Sequence, residues 1–342
     1  MNVFDDEFVT DLQTRFEDRP QWERPDLWFV AVAPQRRALR EWIDAEVAWV
    51  PEPGRSKLVS RLRDDANFLT AYHELAAAAA LRDAGLAALY EPDINGLSPD
   101  LLVPSGPDGH PILAEVWTRS LPREAKGERR SWNALRDRLA QIPVPVGLLV
   151  TGVSGARLEA PTSKQAKQVS AALHGWLAEP RRRGEELAIH GYLFRVWGEL
   201  PGGFAHLAAP ASGGVVDSDI TMQAISEKVK RYAALARELD AHLMVVAASD
   251  PSAPLDLELL RAVLAGRQSF AFSFSAGSSG LLGQWSGRML SSETPATFDP
   301  ALSAVGWLAP GVGDPLLTLL PMSSAGRALP NFESARITYV SH

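Results

Sequence analysis

Cysteine is absent from the 342 residues, which excludes disulfides, zinc–thiolate sites and thiol catalysis. The absence fits a reducing compartment, and a cytoplasmic location is the expectation. The chain also lacks any uncharged apolar run of the ~18–20 residues that a membrane span requires. Its first twenty residues, MNVFDDEFVTDLQTRFEDRP, are acidic and broken by charge, unlike a secretory signal. An excess of basic residues is missing too: the net charge is -7, which counts against tight, indiscriminate binding to nucleic-acid phosphates but leaves room for a local basic groove. The seven histidines show no paired metal-ligand spacing, and no Gly-X-Ser-X-Gly elbow marks a serine hydrolase.

What remains is an ordinary folded composition, 46% hydrophobic and 22% charged. Residues 1–54 carry Trp22, Trp28, Trp42 and Trp49 and a helical pattern over 34–47, closed by the breaker PEPG. We read them as an N-terminal helical layer. Residues 55–250 form an α/β core and 251–342 a C-terminal extension packed on it, whose last fifty residues are irregular but for one or two strands. Within the core, helical character runs over 67–84, with Gly85 placed to end it in the left-handed conformation. A short extended piece follows at 88–91. DLLV (100–103) and ILAEVW (112–117) then read as strands joined by the turn-rich PSGPDGH. A helix over 131–141 and the buried strand VGLLVTG (146–152) complete the order helix, three strands, helix, strand. Further on, apolar spacing gives a helix over 222–239, a core strand HLMVVAAS (242–249) and a helix in LDLELLRAVLAG, before a strand and a Gly/Ser-rich loop in 269–287.

Three acids lie where apolar burial is expected. Glu74 sits in YHELAAAAAL, a helix apolar on most of its circumference, so its carboxylate needs a cation, a hydrogen-bond network or a proton. Asp100 and Glu115 occupy two short strands joined by a hairpin-length loop, which brings them within reach of one hard divalent ion such as magnesium. For each acid taken alone, a cap, a salt-bridge partner or a solvated strand end is the plain alternative, with a turn exit for Pro99-Asp100 and a water-facing edge strand for Glu115.

The segment from GRSKLV to ILAEVWT resembles the core of the PD-(D/E)XK, or restriction-endonuclease-like, superfamily. Glu74 matches its helical Glu, Pro99-Asp100 its Pro-Asp and Glu115-Val116 its Glu-X, in an α-β-β-β-α-β order over residues 56–151. The resemblance implies a mixed central sheet and a magnesium- or manganese-dependent nuclease acting on nucleic acid, DNA rather than RNA. Asp100, Glu115 and the Val116 carbonyl would hold the metal, and Glu74 would orient a water. The family's lysine position holds Trp117, which has no titratable proton at neutral pH. A displaced lysine would have to replace it: Lys228 ranks first because it flanks the apolar stripe of its helix three residues after Ile225, ahead of Lys230 and Lys126. Arg119 titrates too high to be a base.

Two rivals stand beside the nuclease. One is a catalytically silent member of the same fold acting as a binding or scaffold module, which Trp117, the acidic charge and the tryptophan-rich N-terminus favour. The other is an ordinary α/β interaction protein, in which Glu74 would lie far from the other acids. Basic runs at 119–130 and 181–183 could meet phosphate, though both are diluted by glutamates. A protein partner or homodimer is compatible with the sequence, and a membrane partner is not expected.

Overall fold

The computed structural model describes residues 2–17, 24–120, 123–155, 158–200, 203–208, 218–249, 255–265, 269–275, 284–290, 297–309, 315–332 and 334–340. The chain opens with helices α1 (Asp6–Phe16), α2 (Asp26–Val32), α3 (Arg37–Val47), α4 (Gly54–Leu62) and α5 (Phe68–Asp83). Asp5 caps α1 by accepting the Phe8 N–H, and α3 buries Leu39, Ile43 and Val47 along one stripe. Helix α5 is different: its alanines, Leu75 and Leu81 are covered almost all round. It ends in a Schellman motif, with Gly85 at φ +79° donating to the Arg82 carbonyl and Leu86 donating to that of Leu81.

After α5 come strands β1 (Leu89–Tyr90), β2 (Leu101–Val103) and β3 (Ile112–Arg119), then α6 (Arg123–Leu139), β4 (Val146–Gly152), α7 (Ser163–Leu177), β5 (Glu186–Ile189), β6 (Tyr192–Glu199) and β7 (His206–Ala208). Helix α8 (Ser218–Glu238) leads to β8 (His242–Ser249), α9 (Leu257–Leu264), β9 (Ser269–Ser275), β10 (Gln284–Leu290), β11 (Leu302–Leu308), β12 (Leu317–Pro321) and β13 (Ile337–Tyr339).

The strands form a seven-stranded mixed sheet in the order β1-β2-β3-β8-β11-β12-β13, a four-stranded sheet β5-β6-β4-β7, and a β9–β10 hairpin. In the large sheet β3, β8 and β11 run parallel, and antiparallel β2 and β12 flank them. One face packs on α5 and the N-terminal helices, the other on α8 and α9. The chain is thus α/β, with helices on both sides of its main sheet. No helix among the described residues is long and apolar enough to cross a membrane.

Two expectations are corrected here. The strand 146–152 does not lie beside β3; that place belongs to β8, and the crossover helix between them is α8 rather than α6. Both strands are short apolar runs, so the nearer one in sequence read as the neighbour. Their burial separates them. Every residue of β8 is buried, as in a central parallel strand covered on both faces, whereas β4 exposes Thr151 and half-exposes Leu149. Residues 123–208 instead build their own unit, in which α6 and α7 cover one face of the small sheet around Leu135, Leu148, Val169, Leu173 and Phe194. Among the described residues, the last fifty hold three strands, β11 to β13, not one or two, and they continue the main sheet.

Candidate functional site

Strands β2 and β3 pair from Val103–Ile112 to Leu101–Ala114. One rung further the regular ladder stops, and side chains take over. The Asp100 N–H donates to Glu115 Oε1 at 3.0 Å, and the Val116 N–H donates to Asp100 Oδ2 at 2.7 Å. Each carboxylate therefore satisfies a backbone donor that the parting strands would otherwise leave orphaned. Because an extended residue turns its N–H and C=O toward the same neighbour, the Val116 carbonyl faces this opened edge.

Alternation along β3 puts Glu115 on the face that α8 covers, with Leu113 and Trp117. From α8, Lys228 reaches the pair: its Nζ lies 2.7 Å from Glu115 Oε2 and 3.3 Å from Asp100 Oδ2. Lys230, two residues on, is exposed on another side of the helix. One turn after Lys228, the Tyr232 hydroxyl donates to the Ser98 carbonyl at 2.8 Å, tying α8 to the segment that delivers Asp100. Asp100 Oδ1 accepts no hydrogen bond among the described residues.

The electrostatics follow from burial. Glu115 is 1% exposed, and desolvation, then repulsion from Asp100, pushes its pKa up to about 7 against the attraction of Lys228. Burial works against the Lys228 charge, but the two carboxylates outweigh it and its pKa is raised.

Glu74 belongs to an adjoining cluster. It is as buried as Glu115, and Arg61 of α4 grips it with two parallel bonds of 2.7 Å. The Tyr90 hydroxyl donates to Glu74 Oε2 at 2.5 Å, and Arg61 also bonds Tyr90 and Glu91 at 2.6 Å. Glu91 adopts a left-handed φ of +42°, unusual for its type, and its N–H donates to the Asp100 carbonyl. Burial, then the negative charge of Asp100, raises the Glu74 pKa, opposed by Arg61 and Tyr90. The two clusters thus feel each other, yet both Glu74 oxygens are engaged by Arg61. Among the described residues, no three His, Asp or Glu side chains converge on one point that could hold a metal ion.

The structure brings Asp100, Glu115, Val116 and Lys228 together and sets Glu74 beside them. Trp117 is partly buried against the α8-side core. Trp132 is buried in the small unit, edge-on to Tyr192. The Lys126 side chain, others within the 119–130 run, Trp22 and the 277–283 loop lie outside the described residues. Sequence reasoning missed Arg61, Tyr90, Glu91 and Tyr232. Arg61 had a signal: it follows Leu58 by three residues and precedes Leu62, so it sits on the buried side of α4, where the cation demanded by Glu74 could be sought. No family model, curated protein or solved structure matches this chain, which leaves the geometry of these two clusters as the ground for a functional reading.

Proposed function

We propose that the protein is a metal-dependent nuclease of the restriction-endonuclease-like type, cleaving phosphodiester bonds in nucleic acid, with DNA as the favoured substrate. The observation that carries this reading is the Asp100–Glu115–Lys228 cluster at the point where β2 and β3 part. The order α5-β1-β2-β3-α8-β8 supports the resemblance drawn from the sequence, with residues 123–208 as an insertion between β3 and α8. Lys228 then supplies from the crossover helix the cation that Trp117 cannot supply from the strand.

The donor set fits a hard ion. Asp100 and Glu115 offer carboxylate oxygens, one of them unbonded, and the Val116 carbonyl faces the same edge. Magnesium commonly takes one or two carboxylates and completes its shell with water and substrate phosphate. Bound there, magnesium or manganese supplies charge stabilisation for the phosphodiester and a more acidic water. Lys228, kept charged by its two neighbours, would balance negative charge on the substrate. Glu74 has its oxygens committed, so its part is to fix Arg61 and Tyr90 beside the pair rather than to orient a water.

A second reading has its own support: a silent member of this fold used as a binding or scaffold module. Lys228 already neutralises the acids and both Glu115 oxygens are bonded, so the cluster is stable without a metal. Calorimetric titration with manganese and a plasmid-nicking assay decide between them. The nuclease reading expects binding by the wild type that Asp100→Asn abolishes, and nicking reduced about 10²–10⁴-fold in Glu115→Gln and Lys228→Met. Negligible binding by both proteins, with no nicking, leaves the scaffold.

A further inference from the structure

The inserted unit differs in charge from everything around it. Residues 123–208 contain 13 Arg or Lys against 8 Asp or Glu, a net of +5 in a chain whose total is -7, so the remainder carries -12. Within the unit the excess is confined to its two helices. α6 has six basic and three acidic residues and α7 two lysines and no acid, whereas the strands and loops hold five of each.

The pairing of these charges differs as well. On the larger body, five arginines pair with acids of their own surface: Arg15 with Asp11, Arg37 with Glu41, Arg63 with Asp5, Arg82 with Glu46, Arg237 with Asp299, while the exposed Arg36, Lys230 and Arg231 make no ion pair among the described residues and stand amid that body's excess of acids. On α6 and α7, Arg138, Lys164 and Lys167 are exposed and make no ion pair among the described residues. Arg136 reaches only its neighbour Asp137, at 3.8 Å. Lys164 and Lys167 lie one turn apart on the outer stripe of α7 that continues through Ala171 to His174, while Val169, Leu173 and Leu177 are committed to the core. α6 packs against α7 and begins four residues after Arg119, the end of the strand that carries Glu115.

We propose that the outer face of α6 and α7, with Arg138, Lys164 and Lys167 among its cations, holds the sugar-phosphate backbone of nucleic acid. The choice of nucleic acid as the polyanion rests on the nuclease reading of the acid–lysine cluster. Unpaired cations on an otherwise acidic protein concentrate positive potential on one side, which orients a polyanion and repels it elsewhere. A membrane surface fits less well, because α7 turns its large apolar residues inward and keeps small ones on the outer stripe, whereas an interfacial helix needs large apolar side chains there.

The test is fluorescence anisotropy of a short DNA duplex and its single strand with the full chain in EDTA, over a salt series. Without divalent metal, the result is independent of whether the acid cluster binds one. Lys164→Ala/Lys167→Ala is expected to weaken duplex binding about tenfold and to lower the salt slope by about 1.8, or by about 1.4 on the single strand. Adding Arg138→Ala should lower it further, and Arg37→Ala on the larger body should change neither. Circular dichroism checks that each variant is folded. The proposal is overturned by a wild type that binds neither DNA, by unchanged affinity and slope in the triple variant, or by phosphatidylserine vesicles capturing the protein through these residues while DNA fails to compete. Loss of DNA binding in the variants alongside a wild type that takes up no manganese would keep this surface and remove the nuclease.

Discussion

Glu74 and Glu115 are buried to the same degree, each with 1% of its surface exposed, yet each is compensated by a different kind of cation. Arg61 presents a planar fork that holds its proton at any ordinary pH, and it saturates Glu74 while binding Tyr90 and Glu91. Lys228 is a point charge on a flexible stem, 27% exposed, shared between Asp100 and Glu115. It leaves Asp100 Oδ1 without a hydrogen bond among the described residues. The first arrangement suits a fixed scaffold. The second can exchange its cation or accept a substrate, which is why the proposed site lies there and not at Glu74.

Removing each cation separates the two roles. Arg61→Met leaves Glu74 charged and unpaired in the core, and the expected loss is about 3–5 kcal/mol in urea unfolding. Arg61→Met/Glu74→Gln should recover more than half of it. A loss below about 1 kcal/mol would mean that Glu74 is already neutral in the fold. Lys228→Met should cost less, about 1–3 kcal/mol, because the ammonium is partly hydrated and Glu115 can take up a proton instead. Manganese should raise the melting midpoint of Lys228→Met more than that of wild type, since the ion then fills the place of the ammonium. Equal shifts would separate the lysine from the proposed metal site.

Proton uptake sharpens the contrast further. The folded pKa of Glu115, about 7, lies above its ordinary 4.5, so the folded chain binds this proton more tightly than the unfolded one. The stability it contributes is complete below about pH 4.5 and is lost as pH rises through about 7. The free energy of urea unfolding should therefore fall from pH 5 to pH 8 by about 2–3 kcal/mol, and Glu115→Gln should flatten that part of the profile. An unchanged profile in the variant would assign the titration elsewhere.

The acids were legible in the sequence because burial of charge is conspicuous: Glu74 in an alanine-rich helix, Asp100 and Glu115 in apolar runs. Lys228 was legible through the period of its helix. The partners of Glu74 were not, since Arg61 and Tyr90 stand in elements with no pattern that names their target. The neighbour of β3 was misread because the unit of residues 123–208 separates β3 from α8, and local periodicity carries no information about which of two apolar strands returns to the sheet. The charge contrast between that insertion and the rest lay in the sequence too, but it acquired meaning only when the fold set its boundaries.

Two hydroxyls give the finest test of the same contrast. Tyr90 donates to Glu74 and accepts from Arg61, inside the saturated cluster. Tyr232 donates to the Ser98 carbonyl, two residues before Asp100, from the helix that carries Lys228. Either Phe substitution removes a buried hydroxyl and should cost about 1 kcal/mol. Their effects on the site should differ. Tyr90→Phe leaves Arg61 gripping Glu74 and should not change manganese affinity. Tyr232→Phe frees the Ser98–Asp100 segment from α8, so Asp100 meets Glu115 less often in the right geometry, and manganese should bind several-fold more weakly by calorimetry. Equal affinities in both variants would show that the acid pair is set by the β2–β3 backbone alone, through the Asp100 and Val116 N–H groups.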